Sequence, residues 1–164
     1  MSMQRDALFV DPDLGRLVDV GGDRVRIIKR SRETGDDFSV AEVTVYPGGG
    51  TPPHIHTREE EAFYILEGEL TAYLEGVPRV LKAGAFALLP RWKMHHYRNE
   101  SDRPARYLIT LLPGGFEEAF LDAGIPVTDP NVPPAPPTPE HISRLMDTVQ
   151  TRYGLQVPAE TGAV

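Results

Sequence analysis

Between residues 25 and 112 the chain never sustains a helical apolar period over ten residues. Short β-branched and aromatic runs follow one another instead, punctuated by glycine and proline. The pattern predicts strands at 25–31, 38–46, 54–56, 62–67, 70–75, 79–82, 85–89, 95–99 and 105–112. Many short strands with turn signals at close intervals read as an all-β sandwich or barrel. At 164 residues there is enough chain for one such domain with a core of its own, and too little for two.

The flanks differ from this centre. Residues 1–24 read as an N-terminal extension with turn signals at Asp11-Pro12-Asp13 and Gly21-Gly22. After Gly114-Gly115, residues Phe116, Ala119, Phe120 and Ala123 share one helical face, and Gly124 is a stop signal. Residues 125–139 contain seven prolines and predict an extended surface linker. Thr138 is a suitable N-cap with Pro139 at the first helical position. Ile142, Leu145, Met146, Val149 and Tyr153 then follow the 3.6-residue period up to Gly154. The expected organisation is an extension over 1–24, a barrel over 25–115, and helices over 116–164 packed on the barrel or on a partner subunit.

Composition narrows the chemistry. The net charge is −7 and no basic stripe is present, which argues against a nucleic-acid footprint. No stretch of 18 apolar residues exists, so no membrane span is expected. Residues 1–10 lack a basic segment followed by an apolar run, and a cytoplasmic location is the default expectation. There is no cysteine, so a bound metal must be held by imidazole and carboxylate.

Such groups cluster in two places. His54 and His56 are two apart, so on an extended segment they project from the same face as a chelating pair. Glu61 opens the next apolar run, and a turn would return its carboxylate to them. In His95-His96 only one ring can face the interior. The run Glu59-Glu60 reads as a solvated turn. So does the pair Arg91 and Lys93, although it could hold an anionic substrate. Gly48-Gly49-Gly50 lacks the Lys-Ser/Thr of a phosphate loop and reads as a turn.

These residues resemble the two motifs of the cupin superfamily. The first is Gly, five residues, His-x-His, three or four residues, Glu, six residues, Gly; it is matched by Gly48, His54, His56, Glu61 and Gly68. The second is Gly, five residues, Pro-x-Gly, two residues, His, three residues, Asn; it is matched by Gly84, Pro90, His95 and Asn99. One position departs: Trp92 stands where the motif has glycine. The resemblance implies a jelly-roll β-barrel and assigns His54, His56, Glu61 and His95 as ligands of one divalent transition metal. Glu61 rather than Glu60 keeps the interval to Gly68, and His96 should face away. Iron, manganese, nickel, cobalt, copper and zinc all suit this donor set. A residue other than glycine at 92 implies a turn of ordinary conformation. Its indole is expected to line the pocket mouth. Phe63, Tyr73, Phe86, Met94, Tyr97 and Phe116 are further candidates for a substrate-binding lining.

The runs Pro-Pro-His-x-His, Glu-Ala-Phe-Tyr-x-Leu-Glu-Gly and Gly115-Phe116-Glu117 resemble the small bacterial quercetin dioxygenase-like cupins. This implies a dioxygenase acting on a small hydroxylated aromatic or enol, with Glu61 as ligand and as base toward the substrate hydroxyl. Two other readings stand beside it. One is a non-redox Lewis-acid enzyme (isomerase, decarboxylase or polyketide cyclase). The other is a non-catalytic small-molecule-binding cupin. The resemblance also implies a homodimer, with 1–24 and the 139–153 helix as the contributing segments.

Overall fold

Alternation with period two builds the barrel. In the strand Ser39–Val45 (β3), residues Ser39, Ala41, Val43 and Val45 are buried; in Ala105–Leu112 (β9), Ala105, Tyr107, Ile109 and Leu111 are buried. Each strand turns one face to a shared core and the other outward. The computed structural model describes residues 7–158. Residues 1–6 of the expected extension and 159–164 of the expected C-terminal unit lie outside these, as does most of the segment read for a leader.

The remaining strands are β1 (Arg16–Val20), β2 (Asp23–Lys29), β4 (Glu60–Glu67), β5 (Glu69–Leu74), β6 (Val77–Lys82), β7 (Phe86–Leu89), β8 (His95–Arg98) and β10 (Ile125–Pro126). Among the described residues they form two antiparallel sheets, β10-β1-β2-β3-β9-β4-β7 and β6-β5-β8. This is the expected jelly roll. Two strands were not expected. β1 lies within 1–24, and β10 lies in the proline-rich linker, pairing Val18 with Pro126 and Asp19 with Ile125. The expected strand at 54–56 is instead two single bridges, His54 to His95 and Ile55 to Gln156.

The linker is tied down by one side chain. Arg24 donates to the carbonyls of Pro130 and Val132, each at 2.7 Å, while pairing with Asp19 at 2.9 Å. The linker so fixed delivers helix α2 (Pro139–Thr151), whose N-cap Thr138 accepts from the His141 backbone N–H. Leu145 and Val149 on α2 are buried against the chain's own barrel. Helix α1 (Glu117–Ala123) packs between α2 and the large sheet. Gly124 ends α1 as expected. Beyond α2, Gly154 (φ 69°) reverses the chain so that Gln156 bridges to Ile55. No helix among the described residues is long and apolar enough to cross a membrane.

Candidate metal centre

The 48–56 segment must lie close on β8 for its histidines to meet His95. Gly50 permits this. It bridges to Arg98 with φ 144°, and a Cβ there would come within 2.2 Å of the Tyr97 carbonyl. Four residues on, His54 and His95 exchange both backbone hydrogen bonds, at 3.0 and 2.9 Å. Their imidazole rings meet edge-on with centroids 4.6 Å apart. Glu61 arrives from β4, whose alternation buries Glu61, Phe63 and Ile65 on the inner face.

The three imidazoles are oriented alike. His54 Nδ1 lies 2.8 Å from the Pro52 carbonyl and His95 Nδ1 lies 2.9 Å from the Lys93 carbonyl, in each case two residues back. Those carbonyls accept the Nδ1 proton, which leaves the Nε2 lone pair for a ligand. His56 has Glu59 instead, with Nδ1 and Oε2 3.5 Å apart. On the inner side, Glu61 reaches His56 Nε2 at 3.2 Å and His95 Nε2 at 3.0 Å. His54, His56, Glu61 and His95 are all buried, and one donor atom from each lies within 4.8 Å of the others. Metal–donor bonds of about 2.0–2.2 Å place opposite donors at most about 4.4 Å apart. The cage therefore fits a transition-metal ion after contracting by a few tenths of an ångström.

Within the cage the carboxylates and the imidazoles bias one another's charge. Burial lowers His54 to about 4, so its imidazole is neutral at physiological pH. Burial would also lower His56, but the charges of Glu61 and Glu59 outweigh it and push His56 up to about 9. Burial alone would raise Glu61; the charge and hydrogen bond of His56, with the His95 ring close by, hold it well below the usual carboxylate range instead.

Glu59 was expected in a solvated turn, and this is corrected. It is 2% exposed and sits behind His56. A carboxylate at that position fixes the tautomer of a metal-bound imidazole. Glu59→Gln is expected to weaken metal affinity by roughly 10- to 100-fold with little change in fold, as measured by competition against a chromophoric chelator. Glu60 is partly exposed and pairs with Arg91 at 3.5 Å; Lys93 pairs with Glu75 at 3.0 Å.

The candidate lining residues separate. Tyr97 and Phe116 do border the cavity into which the cage opens. Phe116 lies edge-on to His56 with ring centroids 4.4 Å apart. The other five stand elsewhere. Phe63 is fully buried against Tyr97 and Tyr107, in the core itself. Tyr73 stacks on His96 and hydrogen-bonds Glu100. His96 thus faces away from the cage, as expected. Phe86 is exposed on the edge strand β7, beside Tyr64 and Leu88, and Met94 is half-buried outside the cavity wall.

Trp92 is the main correction. Its indole is 60% exposed and does not line the cavity. Its backbone is also not ordinary: φ is +66°, the left-handed conformation that glycine takes without penalty. Position 92 therefore serves the site through its main chain. Its N–H donates to the His56 carbonyl at 2.9 Å and clamps the ligand segment.

Glu117 carries no sequence signal for its role beyond the run Gly115-Phe116-Glu117. Its fully buried carboxylate accepts from the backbone N–H groups of Ser31 and Gly115, both at 2.7 Å. That anchors α1 and holds Phe116 against His56.

The fold is a jelly roll with a buried three-histidine, one-carboxylate group on its inner face that is suited to holding a metal ion. Residues 41–111 match the cupin domain family, so this segment carries a cupin domain. The chain is 28% identical over 130 residues to quercetin 2,3-dioxygenase from Bacillus subtilis (strain 168), covering 79% of this chain and 38% of that one. It is 36% identical over 84 residues to germin-like protein subfamily 2 member 2 from Arabidopsis thaliana, covering 46% of this chain and 38% of that one. The chain thus spans about two fifths of the length of these two curated relatives. The structure of KdgF from Halomonas sp. superposes with a TM-score of 0.61 at 21% identity, covering 69% of this chain and 99% of that one. At that identity the likeness shows the fold alone.

Proposed function

We propose that this cupin is a metal-dependent, dioxygenase-like oxidoreductase acting on a small hydroxylated aromatic or enol. One observation carries the proposal: His54, His56 and Glu61 belong both to the cage and to the wall of an otherwise largely apolar cavity, so a ligand filling the cavity meets the metal position and the carboxylate together. The similarity to a quercetin dioxygenase over 79% of the chain supports the same reading.

A divalent transition metal in this cage would supply Lewis acidity to a chelating oxygen and, where redox-active, electrons to dioxygen. The chain supplies the rest. Glu61 is the carboxylate placed at the cavity wall to take the proton of a substrate hydroxyl. Because its contacts with His56 and His95 make it a weak base, that hydroxyl would first have to be acidified by the metal. His56 Nε2 and His95 Nε2 flank that carboxylate at 3.2 and 3.0 Å. Phe116, Phe120, Ile142, Leu145 and Met146 present apolar surface that keeps water from the reacting atoms.

Metal analysis of protein purified without a metal-affinity tag, followed by oxygen-electrode assays on polyphenols and enols, tests this. Iron, manganese, cobalt, nickel or copper with oxygen uptake is the expected result. Zinc with no oxygen uptake and a product of unchanged composition would establish the non-redox reading instead. Tight ligand binding without turnover would establish a binding protein.

A further inference from the structure

Apart from the cage, the walls of the cavity carry no positive charge. None of the described residues that line it is a lysine or an arginine, although the chain has 17 of them. Beyond His54, His56 and Glu61, its ionisable members are the carboxyl of Asp23 and the phenols of Tyr97 and Tyr107. The rest is mainly aliphatic and aromatic: Val25, Val43 and Ile109 from the barrel, and Phe120, Leu145 and Val149 from the two helices.

Asp23 shows how this environment treats a carboxylate. It is buried, and burial pushes it up to about 7, opposed only by hydrogen bonds from Tyr97 and the Tyr46 backbone and by no cation. A charge taken out of water without a partner is strongly disfavoured. Among the described residues, only the cage can balance one. A divalent metal beside the Glu61 carboxylate leaves a single net positive charge, matched by a chelating ligand that has lost one proton. The cavity is partly open to solvent, so a charge far from the chelating oxygens can stay in water. A charge adjoining those oxygens lies at the cage, whose four members are all buried.

We propose that the cavity selects chelating ligands that bring no second negative charge to the cage. The favoured class is a singly ionised enol or phenol on an apolar body; acids whose carboxylate adjoins the chelating oxygens are rejected. This rests on the hydroxylated-substrate reading above and specifies the charge of that substrate.

The test is calorimetric binding under nitrogen to the zinc-loaded protein, since zinc has no redox chemistry to consume the probe. The probes are 3-methylcatechol and 2,3-dihydroxybenzoate, which differ by a carboxylate in place of the methyl group beside the hydroxyls. In water that carboxylate is an added donor toward zinc, so a preference for the methyl compound belongs to the cavity. 3-Methylcatechol should bind at least about tenfold tighter to the wild type. Ile142 and Met146 line the cavity from α2 without being fully buried, so a lysine at either position can lie along the wall with its ammonium group near the ligand. In Ile142→Lys and Met146→Lys the two probes should come within about twofold of each other. Thermal melts confirm that the variants fold, and the wild-type comparison needs neither of them. Equal binding of the two probes to wild type would overturn the charge selection and leave the hydroxylated-substrate reading standing. A preference unchanged in both folded variants would assign it to shape and overturn the role of charge. If neither probe binds, the hydroxylated-substrate reading itself fails, and this inference with it.

Discussion

His54→Ala is expected to fold and to lose its metal. The backbone bridge between His54 and His95 does not involve the imidazole, so the segment keeps its place. What disappears is one of four donors in a cage that has no exposed member. Loss of a partner behind a ligand typically weakens a site by roughly 10- to 100-fold; loss of the ligand itself should exceed that. In the wild type, metal present at about 1,000 times its dissociation constant adds about 4 kcal/mol of stability. That increment should vanish in the variant. Elemental analysis should find about one equivalent of metal per wild-type chain and little in His54→Ala, and only the wild type should melt higher when metal is added. Full occupancy in the variant would remove His54 from the centre.

This cage was legible because metal ligation constrains sequence and space together. His54 and His56 had to share a face, and the interval to Gly68 singled out Glu61. The strands were legible for a similar reason: period-two burial is written directly in β3 and β9. What could not be read concerns direction and depth. Glu59 lies in a run of three glutamates that looks solvated, and only the tertiary fold shows it turned inward beside His56. Trp92 has a side chain that suggests a pocket wall, whereas the structure uses its left-handed main chain. Phe63 and Phe86 lie on the same strand pair, yet one is core and the other exposed, because position along a strand does not reveal which face is covered. β1 and β10 are stabilised by pairing with each other and by the Arg24 anchor on the linker, contacts far apart in sequence.

Asp23 sets the second large effect, on stability rather than on metal. Burial raises its carboxyl from 3.8 to about 7, against the opposing hydrogen bonds from the Tyr97 side chain and the Tyr46 backbone. The ionised form is therefore disfavoured in the folded chain. Between about pH 4 and pH 7 the folded protein keeps a proton that the unfolded chain has released. By linkage, the contribution of this group is fully present below about pH 4 and is lost as pH rises through about 7. A displacement of this size corresponds to up to about 4 kcal/mol. Asp23→Asn removes the titration while keeping the shape. Any cost of the amide is the same at every pH, so the slope of the difference isolates the carboxyl. Urea unfolding at pH 4, 6 and 8 should therefore show the stability of the variant rising relative to wild type as pH increases, with most of the change complete by pH 8. Parallel stability curves for the two proteins would mean that Asp23 finds compensation in the fold.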